Sequence, residues 1–286
     1  MVQSGGSEQG GVADAVPGHW VDRAASASLR PFLRLARLDR PIGWWLLMWP
    51  CWWATALVAV AAGLPYPNPW HLFLFFVGAV AMRGAGSTWN DVIDRKIDAG
   101  VARTRNRPIP AGEVSVKAAL AFAVLQSLVG LAVVLQFNLF TIILSFASLL
   151  IVAIYPFMKR FFALPQTVFA LTFAWGALVG WSATTGALAL APVMLYAGAW
   201  FWGLGYDTIY GHQDKADDAI IGVKSSSLFF AENTKPALAG IFGATIVCVG
   251  AAAWLAGGGV LSFLGVAAFA AHLSWQIVRV DPDDPA

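Results

Sequence analysis

With 286 residues, 58% of them hydrophobic and 12% charged, a mean hydropathy of +0.67 and 14 tryptophans, this chain is composed for lipid rather than water. A net charge of +2 and a pI near 8.6 give no ground for a nucleic-acid binder. The two cysteines, Cys51 and Cys248, lie inside apolar runs, which argues against a disulfide framework.

Residues 1–29 are rich in Gly, Ser and Ala and lack the basic start and apolar centre of a signal peptide, so a disordered cytoplasmic tail is expected there. Eight apolar runs follow, at about 41–63, 69–89, 115–136, 138–158, 164–186, 189–209, 236–256 and 259–279. Each approaches the roughly 20 residues that span a bilayer as a helix. Lipid cannot hydrogen-bond a bare backbone, and the alternation of a barrel strand is absent, so the runs are read as helices. The expected fold is an all-α polytopic membrane protein, a helical bundle of eight spans in two four-helix halves around a central cavity. Residues 30–286 form its single membrane domain.

The charges fit eight spans. Five arginines (Arg23, Arg30, Arg34, Arg37, Arg40) precede the first span, and six cations from Arg95 to Lys117 follow the second. Lys159 and Arg160 follow the fourth, Lys215, Lys224 and Lys235 the sixth, and Arg279 closes the eighth. The opposite connections, such as "LPYPNPW" and "LAGGGV", carry no cation. Basic connections stay on the cytoplasmic side, which places both termini and every acid there. The remaining cation, Arg83, is inside the second span.

That span runs on into "NDVIDRKIDAG" (90–100). If the helix continues, Asn90, Asp94 and Asp98 recur at i, i+4 and i+8 on one face, with Arg83 two turns deeper. An intramembrane arginine is costly and has a partner or a ligand, while Gly84 and Gly86 beside it admit a neighbouring helix. The sixth span ends in a second acidic station with the same spacing: Asp214 and Asp218 at i, i+4, Asp207 seven residues earlier, and Asp217. A solvated helix end would explain one such cluster. Two of them, each after the second helix of a half, suggest weakly similar halves whose acidic ends face one another across the cavity.

Cations adjoin both stations, in "RTRNRPIPAG" (103–112), "YPFMKR" (155–160) and at Lys224, with Tyr155 and Lys159 at i, i+4. Carboxylates beside Arg and Lys suit an anion held partly through Mg²⁺, which takes one or two carboxylates and shares its other positions with phosphate oxygens. There is no Walker-type glycine loop and no His/Cys cluster, so ATP and zinc chemistry are poorly supported. His212 is the one histidine near a station.

These words together resemble the UbiA superfamily of membrane prenyltransferases. The first station matches its NDxxDxxxD pattern and "DKADD" its second DxxxD pattern. "RLDRPIGWWLLMWP" (37–50), "RTRNRP" (103–108), "YPFMKR" (155–160), "PQ" (165–166) and "YDTIYGHQDKADDAIIGVKS" (206–225) resemble the 4-hydroxybenzoate polyprenyltransferase branch of the ubiquinone pathway. The resemblance covers roughly residues 30–280. It implies Mg²⁺-dependent transfer of a polyprenyl group from polyprenyl diphosphate to the ring carbon ortho to the hydroxyl of 4-hydroxybenzoate.

The same resemblance assigns residues. Asn90, Asp94 and Asp98 with Asp214 and Asp218 would bind two Mg²⁺ ions, with Asp91 a supporting member of the metal set and Asp207 supporting the substrate. Arg103, Arg107, Lys159 and Lys224 would neutralise the diphosphate, with Tyr155 beside it, and Arg83 would hold the aromatic acceptor or contact the diphosphate. The catalytic set is then Asp94, Asp98, Asp214, Asp218 and Arg83. The base is left open among Asp207, another carboxylate and water.

The family usually has nine spans and eight are read here, the chain ending "VDPDDPA" where the last connection would begin. A truncated chain or a dispensable last helix is therefore expected, with the C-terminus on the cytoplasmic side. The expected setting is a bacterial inner membrane with the active face cytoplasmic, and neither nucleic acid nor an obligate protein partner is implied. Two alternatives stand beside this reading: another acceptor (homogentisate, a naphthoate or haem), and a cation-coupled transporter. The transporter is weakened because every acid lies at one face, whereas transporter sites lie near the bilayer midplane.

Overall fold

A computed structural model describes residues 19–100, 104–158, 162, 164–215 and 224–282, with only the backbone of 155–158 and 214. Among the described residues there is no strand. These residues form, in chain order, the α-helices α1 Trp20–Ala24, α2 Arg30–Leu35, α3 Ile42–Ala61, α4 Pro69–Asp98, α5 Val116–Val134, α6 Leu139–Met158, α7 Pro165–Ala174, α8 Gly176–Thr185, α9 Leu190–Gly211, α10 Ser226–Phe230, α11 Thr234–Leu255 and α12 Val260–Arg279. The stretch expected as a tail (1–29) is described from residue 19, and it holds α1, whose Asp22 pairs with Arg34 at 2.8 Å.

Every apolar run of the sequence is helical, α7 and α8 together forming the fifth. Among the described residues six segments are long and apolar enough to cross a membrane by themselves: Ile42–Ala61, Pro69–Asp98, Val116–Val134, Pro165–Thr185, Ser226–Leu255 and Val260–Arg279. The other two runs are helical as well: α6 is a 20-residue apolar helix, Leu139–Met158, and α9 spans 22 residues, Leu190–Gly211. The polar content of α9 lowers its hydropathy: Tyr196, Tyr206, Asp207 and Tyr210 stand among its apolar residues. The outer faces are those of a protein solvated by lipid. Leu125 on α5 and Val260, Leu261 and Val278 on α12 are 58–84% exposed, which water would penalise and hydrocarbon does not.

The chain divides into two compact units: Met1–Trp45 with Ala79–Leu131, and Leu46–Gly78 with Ala132–Ala286. In the first, Leu35, Val92, Ile109, Val114 and Ala119 form the core. Gly84 lies so close to Gln126 and Ala36 that a Cβ there would collide with the Gln126 amide. In the second, α9 packs along α11, and a Cβ on Gly205 would strike the Phe242 ring. Small residues let helices approach closely where lipid supplies no hydrophobic drive for their association. Trp181, Ala54, Leu195 and Ala252 make one core of this unit, and Leu238, Phe242 and Leu273 another. Polar groups also bond helix to helix in this unit: Trp175 Nε1 donates to the Leu144 carbonyl at 3.0 Å, and Thr141 Oγ1 to Ser182 Oγ at 2.9 Å.

Candidate active site

The first acidic station exists because α4 does not stop at the end of the apolar run. It continues for 30 residues to Asp98, so the i, i+4, i+8 face read from the sequence is real. Asn90 Nδ2 donates to Asp94 Oδ2 at 3.1 Å, and Asp91, Asp94 and Asp98 are all buried. Lys96 is exposed and Arg95 folds back, donating to the Val92 carbonyl at 2.6 Å. The adjacent cations of α4 therefore do not offset the acids.

The compensating charge comes from elsewhere in the same unit. Arg107 Nη1 donates to Asp98 Oδ2 at 3.0 Å and to Asp91 Oδ1 at 3.3 Å. Arg37 Nη2 donates to the same Asp91 oxygen at 2.6 Å. The connection that carries Arg107 is fixed to the helix end by Thr104 Oγ1, which donates to the Asp98 carbonyl at 3.0 Å. Arg103 lies outside the described residues. Arg83 is half-buried, its guanidinium packed over Gly43, where a Cβ would collide with it.

At the second station, α9 carries Asp207, half-buried, and passes into a 3-10 turn, His212–Asp214, with His212 buried. Asp217, Asp218 and Lys159 lie outside the described residues, as do the side chains of Tyr155 and Asp214. Lys224 is exposed and directly precedes a buried hydroxyl cluster. Thr208 Oγ1 donates to Ser226 Oγ at 2.9 Å, the Ser226 N–H donates to Gln166 Oε1 at 2.9 Å, and Ser227 Oγ donates to the Gly211 carbonyl at 3.1 Å. The cluster ties the segment after Lys224 to α7 and to the end of α9. In the same unit an apolar cavity is lined by Pro50, Phe169, Phe173, Trp202 and Tyr206 among others.

Among the described residues no three His, Cys, Asp or Glu side chains group as a metal site. The described oxygens of the first station are those of Asn90, Asp91, Asp94 and Asp98, Asp91 giving one of its two to Arg37 and Arg107; this donor set fits a hard cation that takes one or two carboxylates and completes its shell with phosphate and water. Sequence reasoning missed Arg37 and the Gln166–Ser226–Thr208 bonds. Arg37, Gln166 and Thr208 lay within the quoted words at 37–50, 165–166 and 206–225, and Ser226 directly follows the last, but nothing in their spacing pointed to a contact.

The profile of the UbiA prenyltransferase family matches residues 47–286. The chain belongs to that family. It is 46% identical over 256 residues to the mitochondrial 4-hydroxybenzoate polyprenyltransferase of Aedes aegypti, covering 89% of this chain and 58% of that protein. With the rat protein of the same name it shares 47% over 263 residues, 91% of this chain and 70% of that one. Among solved structures, the apo UbiA homolog from Aeropyrum pernix K1 superposes with a TM-score of 0.67 at 24% identity, over 81% of this chain and 87% of that one. The Archaeoglobus fulgidus homolog bound to GPP and Mg²⁺ gives 0.60 at 20%, over 82% and 86%. These likenesses establish the UbiA fold and a multi-pass membrane protein. The bacterial setting expected from sequence draws no support from relatives named mitochondrial.

Proposed function

We propose that this UbiA-family chain transfers a polyprenyl group from polyprenyl diphosphate to the ring carbon ortho to the hydroxyl of 4-hydroxybenzoate, in ubiquinone biosynthesis. The observation that carries the proposal is 47% identity along 91% of the chain to a protein named for that reaction. The first station supports it chemically, with an amide and carboxylates on one helix face and an arginine set against Asp98.

In this reading Asn90, Asp94 and Asp98 of one station and Asp214 and Asp218 of the other would hold Mg²⁺. The metal supplies Lewis-acid neutralisation of the leaving group. Arg107, Arg103, Lys159 and Lys224 add fixed positive charge where negative charge develops as the allylic C–O bond breaks, with Tyr155 beside it. Phe169, Phe173, Trp202 and Tyr206 present aromatic faces that stabilise an allylic cation and exclude water. Arg83 holds the acceptor's carboxylate as the ring carbon attacks the prenyl C1 and its proton leaves to a carboxylate, such as Asp207, or to water. The basic connections stay on the side from which the chain is inserted, and the diphosphate is met there.

The test is a product assay in membranes with Mg²⁺, prenyl diphosphates of several lengths, and 4-hydroxybenzoate, homogentisate, a naphthoate or haem as acceptor. Prenylated 4-hydroxybenzoate is the expected product. Product with another acceptor alone transfers the chain to a different branch, and ion-driven solute uptake without any product overturns the enzyme reading.

A further inference from the structure

Ser87 carries a hydroxyl that its helix leaves uncommitted. Thr55, Thr88 and Thr208, buried like it on the long helices, return their hydroxyls to the carbonyl four residues before. Thr55 donates to Cys51 at 2.8 Å, Thr88 to Gly84 at 2.8 Å and Thr208 to Leu204 at 2.7 Å. Ser87 Oγ is buried with no hydrogen-bond partner among the described residues, and Ser87 is only 5% exposed. Ser145 Oγ, on α6, shares that condition, but in a residue that is half-buried. A hydroxyl withheld both from water and from protein partners costs stability, and such a group calls for a role.

Its place on α4 fixes what it can meet. Ser87 follows Arg83 by four residues and precedes Asn90 by three and Asp94 by seven. At 3.6 residues per turn these four positions fall within roughly 60° of one another around the helix. Ser87 is thus on the acid face, about 4.5 Å deeper in the membrane than Asn90. Beside it, Gly86 leaves room one turn before Asn90, since a Cβ there would meet no atom within 4 Å.

In the prenyl-transfer reading the diphosphate lies at the acids and its apolar chain turns inward, so the breaking C1–O bond is on the membrane side of Asn90. The attacking ring carbon is ortho to the phenol, so the phenol O–H arrives at nearly the same depth. A ring whose carboxylate end is turned to Arg83 brings its para hydroxyl one helical turn, about 6 Å, nearer the acids, which is the level of Ser87. As the ring gives an electron pair to C1, the positive charge left on the ring is shared by the phenol oxygen, and its O–H becomes a stronger donor. An oxygen fixed to accept that hydrogen bond holds the transition state more tightly than the ground state.

We infer that Ser87 is a further catalytic residue that binds the aromatic substrate: its Oγ accepts the hydrogen bond of the phenol O–H and holds the ortho carbon against prenyl C1. No bond to Ser87 forms or breaks, and the phenol keeps its proton. The inference rests on the prenyl-transfer reading of the site.

The test compares 4-hydroxybenzoate with benzoate, which lacks only the hydroxyl. Binding of each to the detergent-solubilised protein is measured with Mg²⁺ and inorganic pyrophosphate, in wild type and in Ser87→Ala, alongside kcat for transfer and Tm. Wild type is expected to bind 4-hydroxybenzoate about tenfold more tightly, the upper range for one neutral hydrogen bond. Ser87→Ala is expected to abolish that preference by weakening 4-hydroxybenzoate alone, and to lower kcat because the bond strengthens in the transition state. Unchanged benzoate binding shows that the site is intact, and a Tm equal to or above that of wild type shows that the hydroxyl made no structural bond. The same preference in both proteins, or none in wild type, overturns the inference. A Ser87→Ala that loses both ligands and melts lower makes Ser87 structural and overturns it as well. Wild type that binds neither ligand and forms no prenylated product overturns the underlying reading instead.

Discussion

Asn90 and Asp94 stand one turn apart on α4, the amide of the first donating to the carboxylate of the second at 3.1 Å. The amide's carbonyl is thereby turned away from Asp94, so one face presents an amide oxygen and a carboxylate together. Replacing Asp94 by Ala is expected to cut prenyl transfer by more than about 100-fold, in the range of losing one preorganised electrostatic contact at a reacting centre. Asp214→Ala should do the same from the second station. Turnover at the wild-type rate in either variant sends that station back to an ordinary solvated helix end.

Chelation is the complementary prediction. Hard oxygen donors with few carboxylates hold Mg²⁺ weakly unless a phosphate shares it. Product formation should therefore stop with EDTA and return when Mg²⁺ is added in excess. Activity that persists after exhaustive chelation rules out the metal-assisted route.

Gly43 and Arg83 make a second pair that can be tested. A methyl group at Gly43 would occupy the guanidinium's place, and since the far end of Arg83 is flexible, the side chain shifts and the fold is kept. Gly43→Ala and Arg83→Ala are both expected to raise the acceptor KM, by about tenfold for a lost carboxylate contact, at similar protein levels in the membrane. If acceptor KM and kcat stay unchanged in Arg83→Ala, the arginine is structural.

The Gln166 carbonyl is the acceptor for the buried Ser226 N–H at 2.9 Å. Gln166→Leu leaves that donor unsatisfied and should cost about 1–3 kcal/mol. A lowered Tm of the detergent-solubilised protein checks it. Because Lys224 lies two residues before Ser226, the same variant should also raise the diphosphate KM.

At Gly205 a Cβ would press into Phe242, a buried ring between α9 and α11. Overpacking of this kind costs about 1–3 kcal/mol, so Gly205→Ala should lower Tm clearly. Gly240→Ala meets no atom within 4 Å and serves as the control.

Much of this was written in the order of residues. Runs of apolar side chains fixed eight helical segments because a bilayer leaves a backbone no other way to satisfy itself. The spacing of Asn90, Asp94 and Asp98 fixed their common face because a helix repeats every 3.6 residues. Whether α4 ran on to Asp98 or stopped in a loop was open, and so was the source of the acids' counter-charge. Sequence neighbours pointed to Arg95 and Lys96, yet the first turns back to its own helix and the second is exposed. Arg37 and Arg107 do the neutralising, from 54 and 16 residues away from Asp91. Charges interact through space in a low-dielectric interior, and which distant cations arrive is set by how the chain ends α2 and how it folds after α4. Periodicity therefore determined the helices and the acid face, and tertiary packing alone decided which arginines hold it.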